Sequence, residues 1–130
     1  DSIQIHGTMT KEVYEQCQLP ILRAFNISNV EKLEEYEIKD KIKGYVFDSK
    51  NPGSGETFDW KLLDHIRQKQ KTVLFLAGGI DENNVKRAIS EVAPDVIDLS
   101  SAVEKVSKDG AFCGKDLEKV KTIITIVHGQ

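Results

Sequence analysis

The chain has 130 residues, 39% of them apolar and 30% charged, and a net charge of −3 at neutral pH. That is enough for one domain or one part of a domain, in the composition range of a folded protein rather than a disordered one. Both charge signs are interspersed, which argues against a nucleic-acid partner, and no apolar run approaches the ~20 residues that cross a bilayer.

Short apolar runs alternate with longer amphipathic stretches, the pattern of parallel strands buried on both faces and joined by helices. The first run is Ser2-Ile3-Gln4-Ile5-His6, and Thr10 is placed to cap a helix through Gln18 with Val13, Tyr14 and Cys17 on its buried side. Ile21-Leu22-Arg23-Ala24-Phe25 is the second run. Ser28 with Glu31 forms a capping box that starts a helix to about Tyr36. Lys43-Gly44-Tyr45-Val46-Phe47-Asp48 is the third run, followed by a Gly/Pro/Ser loop over 49–56 and a helix over 59–69. Val73-Leu74-Phe75-Leu76-Ala77 is the fourth, ended by Gly78-Gly79. Asp81 is placed to cap a helix whose apolar positions Val85, Ala88, Ile89 and Val92 recur at helical spacing. The fifth run, Val96-Ile97-Asp98-Leu99-Ser100, precedes a last helix from Leu117 to about Val127.

Strands that alternate with helices are expected to lie parallel with right-handed crossovers. Their mean spacing of about 23 residues is short for a doubly wound sheet and suits a compact (β/α) barrel. Eight such units need roughly 190 residues, so the expected fold is α/β of the (β/α)8 TIM-barrel type, with this chain supplying about five of the eight βα units. Residues 1–130 read as a single, partial barrel domain. No charged-then-apolar leader opens the sequence, and the expected compartment is the cytoplasm.

In such a barrel the chemistry sits where strands end and βα loops begin. Four strand ends are marked: His6-Gly7, Asp48-Ser49, Gly78-Gly79 and Ser100-Ser101. Gly-Gly and Ser-Ser-Ala on the last two offer backbone N–H groups and hydroxyls to an anion, although Gly-Gly alone is weak evidence. Asp48 ends an apolar strand at the mouth, where it is either a general acid or a turn aspartate. His6 is either a satisfied polar residue or a pocket-lining base. Cys17 and Cys113 have neither CxxC spacing nor a nearby histidine pair, so they read as packing or surface residues and no metal is expected.

Several segments carry a resemblance. Gly44-Tyr-Val-Phe-Asp-Ser-Lys50, followed by Gly53-Ser-Gly-Glu-Thr-Phe-Asp-Trp60, resembles the sixth strand and loop of the phosphoribosylanthranilate isomerase family. Leu76-Ala-Gly-Gly-Ile-Asp-Glu-Asn-Asn-Val85 and Asp98-Leu-Ser-Ser-Ala-Val-Glu104 resemble its seventh and eighth units, and Gly114-Lys-Asp116 its final helix entry. Ile3-Gln-Ile-His-Gly7 and Arg23-Ala-Phe25 are similar to its fourth and fifth strands, so the likeness spans the chain.

The resemblance implies an isomerase of tryptophan biosynthesis. Its reaction is the Amadori rearrangement of N-(5-phosphoribosyl)anthranilate to 1-(2-carboxyphenylamino)-1-deoxyribulose 5-phosphate, with no cofactor. By motif, Asp48 matches the general acid, and Gly78, Gly79, Ser101 and Ala102 match the substrate-phosphate loops, with Ala102 where that family usually has glycine. The family's general base is a first-strand cysteine that neither Cys17 nor Cys113 matches. The implied partners are a small ribose-phosphate substrate and either a complementing N-terminal segment of three units or a second copy, without which activity is not expected. The competing reading is a non-catalytic open parallel sheet, flavodoxin-like or domain-swapped, that keeps a residual phosphate site.

Overall fold

A computed structural model describes residues 1–26, 40–48 and 72–129. The Ser28–Glu31 capping box, the loop over 49–56 and the helix over 59–69 lie outside the described residues. Five strands, β1 (Ile3–Ile5), β2 (Ile21–Asn26), β3 (Ile42–Asp48), β4 (Val73–Ala77) and β5 (Val96–Ile97), form one sheet in sequence order, and every neighbouring pair is parallel. That order is the one a barrel wall requires. A flavodoxin-like sheet places its second strand outside its first, which this sheet does not do.

Alternation along the strands sorts the side chains onto two faces. Ile21, Phe25, Ile42, Tyr45, Phe47, Leu74 and Leu76 pack with Val85, Ala88, Val92 and Ile123 of the helices. Within that layer the rings of Phe25, Tyr45 and Phe47 lie 5.8–6.3 Å apart, in the range of favourable aromatic contact. Ala24, Val46 and Ala77 cluster on the opposite face with Leu22 and Phe75. Arg23, the buried charged residue of β2, directs its guanidinium to the carbonyls of Ile5 (2.8 Å) and Gly7, and lies over the Phe25 ring. It ties the end of β1 to β2.

The first and last described α-helices begin at a side-chain cap. Thr10 accepts from Val13 N at 3.3 Å and starts α1 (Lys11–Gln16), which ends two residues short of the expected Gln18. The last carbonyls of a helix lack intrahelical partners; here the Lys41 ammonium takes those of Tyr14 (2.9 Å), Glu15 (2.8 Å) and Cys17 (2.9 Å), and so docks α1 against the entry to β3. Cys17 closes that helix, half-buried, with its thiol 3.4 Å from the Leu19 carbonyl. Helix α2 spans Val85–Val92, and α3 (Leu117–His128) is capped by Asp116, which accepts from Glu118 N and Lys119 N.

One element was not foreseen. Strands β6 (Glu104–Val106) and β7 (Phe112–Lys115) pair antiparallel as a hairpin between β5 and α3, and Cys113 is an exposed residue of β7 rather than of a loop. Asp109-Gly110 between Val106 and Phe112 is the sequence signal for such a turn. Ser107 closes it, accepting Gly110 N on its carbonyl and Ala111 N on its hydroxyl.

Gly44 lies on β3 between Leu22 of β2 and Val73 of β4. A Cβ built there meets Leu22 Cδ2 at 2.9 Å, the Val73 carbonyl oxygen at 3.0 Å and Phe75 Cε2 at 3.2 Å. The carbonyl is backbone and cannot turn aside. Gly44→Ala is therefore expected to destabilise the fold by about 1–3 kcal/mol, the usual cost of overpacking. Urea unfolding measures it, and an unchanged midpoint would contradict this packing.

Candidate functional site

The parallel register brings three strand ends together. Asp48, the last residue of β3, pairs with Ala77, the last of β4, and Asp98 N continues the ladder from β5 to the Leu76 carbonyl at 2.9 Å. The end of β3 and the loops leaving β4 and β5 line a cleft of ≈ 160 Å³, formed by Asp48, residues 77–80, Asp98 and residues 99–102. Five of the residues singled out from the sequence, Asp48, Gly78, Gly79, Ser101 and Ala102, thus line one cavity. His6 stands apart. It follows β1, two strands away from β3, and is exposed with its Nε2 2.8 Å from Gln4 Nε2.

Gly78 and Gly79 adopt φ of 70° and 67°, left-handed conformations that cost other residues strain. Behind them Asn84 donates from Nδ2 to the Gly79 carbonyl (2.7 Å) and accepts the Asp81 N–H on Oδ1 (2.9 Å). Asp81 accepts in turn from Asn83 N and Asn84 N, capping the turn that leads into α2 rather than the helix itself. On the third side, Ser101–Val103 form a single 3-10 turn with its bonds from Val103 N to the Ser100 carbonyl and Glu104 N to the Ser101 carbonyl. The first two N–H groups of such a turn have no partner within it. Outside glycine, Ala93 alone among the described residues has a positive φ, so the backbone at Ala102 accommodates its Cβ without strain.

Asp48 is half-buried, and its Oδ1 is buried with no hydrogen-bond partner among the described residues. An unmatched carboxylate oxygen is unusual away from functional sites, because leaving it so is costly. Asp98 adds a second carboxylate residue to the cleft wall. In the sequence Asp98 reads as part of the fifth apolar run; β5 ends at Ile97, which brings Asp98 to the cleft.

Sheet order, strand polarity and a polar cleft at the carboxyl ends define an α/β protein of the (β/α)8-barrel type. A profile described as "PRAI: N-(5'phosphoribosyl)anthranilate (PRA) isomerase" matches residues 1–125. The chain belongs to the N-(5'-phosphoribosyl)anthranilate isomerase family. It is 35% identical over 134 residues to the N-(5'-phosphoribosyl)anthranilate isomerase of Syntrophomonas wolfei, covering 100% of this chain and 62% of that protein. The crystal structure of phosphoribosyl anthranilate isomerase from Thermotoga maritima superposes with a TM-score of 0.77 at 30% identity, over 99% of this chain and 62% of the other. A second solved isomerase, 26% identical with a TM-score of 0.73 over 99% of this chain and 60% of its own, is in complex with reduced 1-(o-carboxyphenylamino)-1-deoxyribulose 5-phosphate. The chain therefore spans about three-fifths of the length of these relatives.

Asn84 is the residue on which the Gly79 conformation leans. Asn84→Ala removes both of its loop bonds and is expected to cost about 1–2 kcal/mol, with faster amide exchange at Gly79 and Ile80. Unaltered exchange at those amides would show that the loop holds itself.

Proposed function

We propose that this chain contributes the fourth to eighth βα units of a phosphoribosylanthranilate isomerase, and that its cleft holds the ribose-phosphate part of the substrate. The observation that carries this reading is the convergence of Asp48, Gly78-Gly79 and residues 99–102 on one cleft at the ends of three adjacent parallel strands. Membership of the family and the product analogue held by a related isomerase support it.

In the Amadori rearrangement the ribose ring opens when its ring oxygen takes a proton as the C1′–O bond breaks. The anilino nitrogen's lone pair forms the C1′=N bond in the same step. A base then removes the C2′ proton, giving an enolamine that tautomerises to the 1-deoxy-2-ketose. We assign the first proton to Asp48, whose Oδ1 is committed to no other described group. The phosphate is assigned to the backbone N–H groups and hydroxyl offered by Gly78, Gly79, Ser101 and Ala102. His6 borders the mouth on the same end of the sheet, outside the cleft. The base and the site for the anthranilate carboxylate are assigned to three further βα units, on the same polypeptide or another. The outer edges of β1 and β5, which pair with no further strand among the described residues, are the surfaces such units fit. No helix among the described residues is long and apolar enough to cross a membrane, and a cytoplasmic biosynthetic role is proposed.

The 130-residue chain by itself is expected to show little or no turnover of phosphoribosylanthranilate, and addition of the three complementary units to restore it. Asp48→Asn in the restored enzyme is expected to lower kcat by about 10²–10⁴-fold, the usual worth of a general acid, with KM nearly unchanged. Full turnover from the chain alone would refute the need for further units. Unimpaired turnover in the Asp48→Asn enzyme would remove Asp48 from the mechanism.

A further inference from the structure

Lys115 ends β7 in the hairpin, outside the cleft lining. Its ammonium donates to the Ser100 carbonyl at 3.0 Å and pairs with the Glu104 carboxylate, so it bridges the two ends of the Ser101–Val103 turn. The neighbouring residues reinforce this grip: Asp116 N donates to the Val103 carbonyl at 2.7 Å, and Lys119 Nζ to the Glu104 carbonyl at 2.9 Å. Ser100, Ser101 and Ala102 line the cleft on the other side.

The Ser100 carbonyl and the Ser101 N–H belong to one planar trans peptide, and they point in opposite directions. A cation that holds the oxygen toward the hairpin, together with the Val103 N–H that the same carbonyl accepts, keeps the Ser101 N–H pointing away from the hairpin. It also draws electron density through the peptide and makes that N–H a stronger donor. Its pairing with Glu104 offsets a negative charge that otherwise opposes an anion nearby.

We propose that Lys115 is a positioning residue for the anion end of the cleft: it aims the Ser101 N–H at the substrate phosphate without touching the phosphate itself. This role rests on the reading of the cleft as a phosphate site. The hairpin then has a purpose in the site, since it delivers Lys115 to the back of the Ser100–Ser101 peptide.

The test titrates the full 130-residue chain with inorganic phosphate and follows the backbone amide resonance of Ser101. In the unsubstituted chain that amide is expected to move downfield as phosphate binds. Lys115→Met is expected to bind phosphate about tenfold more weakly, the scale of one charge-assisted hydrogen bond, and to lose most of the Ser101 shift. Lys115→Arg, which keeps both donor and charge, is expected to recover affinity to within about threefold. Lys121→Met removes the same charge from the exposed side of α3 and is expected to leave affinity unchanged. If Lys115→Met loses its fold, Lys115→Gln keeps the stem and carries the same direction of effect. Wild-type affinity in Lys115→Met (or Lys115→Gln), or an equal loss in Lys121→Met, overturns the role of Lys115 and leaves the phosphate site standing. No Ser101 response in the unsubstituted chain overturns the phosphate reading, and the role of Lys115 with it.

Discussion

The register between β3 and β4, with Asp48 opposite Ala77, sets the geometry on which the rest of the mouth depends. Parallel strands repeat every two residues, so a slip of one position moves every side chain to the other face. Such a slip would send Asp48 to the helix side of the sheet and bring Phe47 into the cleft. Two features oppose it. Phe25, Tyr45 and Phe47 fill the layer beneath the helices on one face, and the approach of Leu22, Val73 and Phe75 around Gly44 leaves room for no side chain on the other. The core thus holds Asp48 in place although it lies away from the cleft.

The last strand is held differently. β5 contributes only Val96 and Ile97 to the ladder. Its alignment is completed by Asp95, whose backbone N–H donates to the Leu74 carbonyl and whose carboxylate accepts the Leu74 N–H, and by the bond from Asp98 N to Leu76. This short strand lets the chain turn early, at Leu99-Ser100, across the end of β4. The expected strand ran on to Ser100; turning early brings the Ser100–Ala102 loop against Gly78-Gly79.

β2, β3 and β4 were legible because burial writes them as largely apolar runs; all five expected strands appear, four of them within about two residues at both ends and β5 ending three residues early. Asp48, Gly78, Gly79, Ser101 and Ala102 were legible for the same reason: a residue at the end of an apolar run is at the mouth of a parallel barrel. The hairpin was less so. Its strands are short and exposed, with Val106 and Phe112 facing solvent, so they carry no burial pattern, and only Asp109-Gly110 marks the turn. Lys115 was illegible without it, since the contact with Ser100 crosses fifteen positions in sequence through a fold-back. His6 shows the reverse case. It follows β1, and the sequence-order sheet puts β1 two strands from Asp48, outside the cleft lining.

Strand spacing also bears on what the cleft can hold. Neighbouring parallel strands lie ~4.8 Å apart, so Asp48 on β3 and the Gly78-Gly79 loop after β4 are separated laterally by about one spacing, and the Ser100–Ala102 loop by about two. In a ribose 5-phosphate only a short run of bonds lies between the ring oxygen and the phosphorus, a distance of the same order as one strand spacing. An acid on β3 can therefore reach the ring oxygen while the phosphate rests between the loops that follow β4 and β5. The same acid on β2 would stand a further spacing away and lose that reach. On the proposed function, ring opening and phosphate anchoring fall to adjacent strands because one ligand spans that distance, and Lys115 joins the Val103 N–H in holding the Ser100 carbonyl of the second loop.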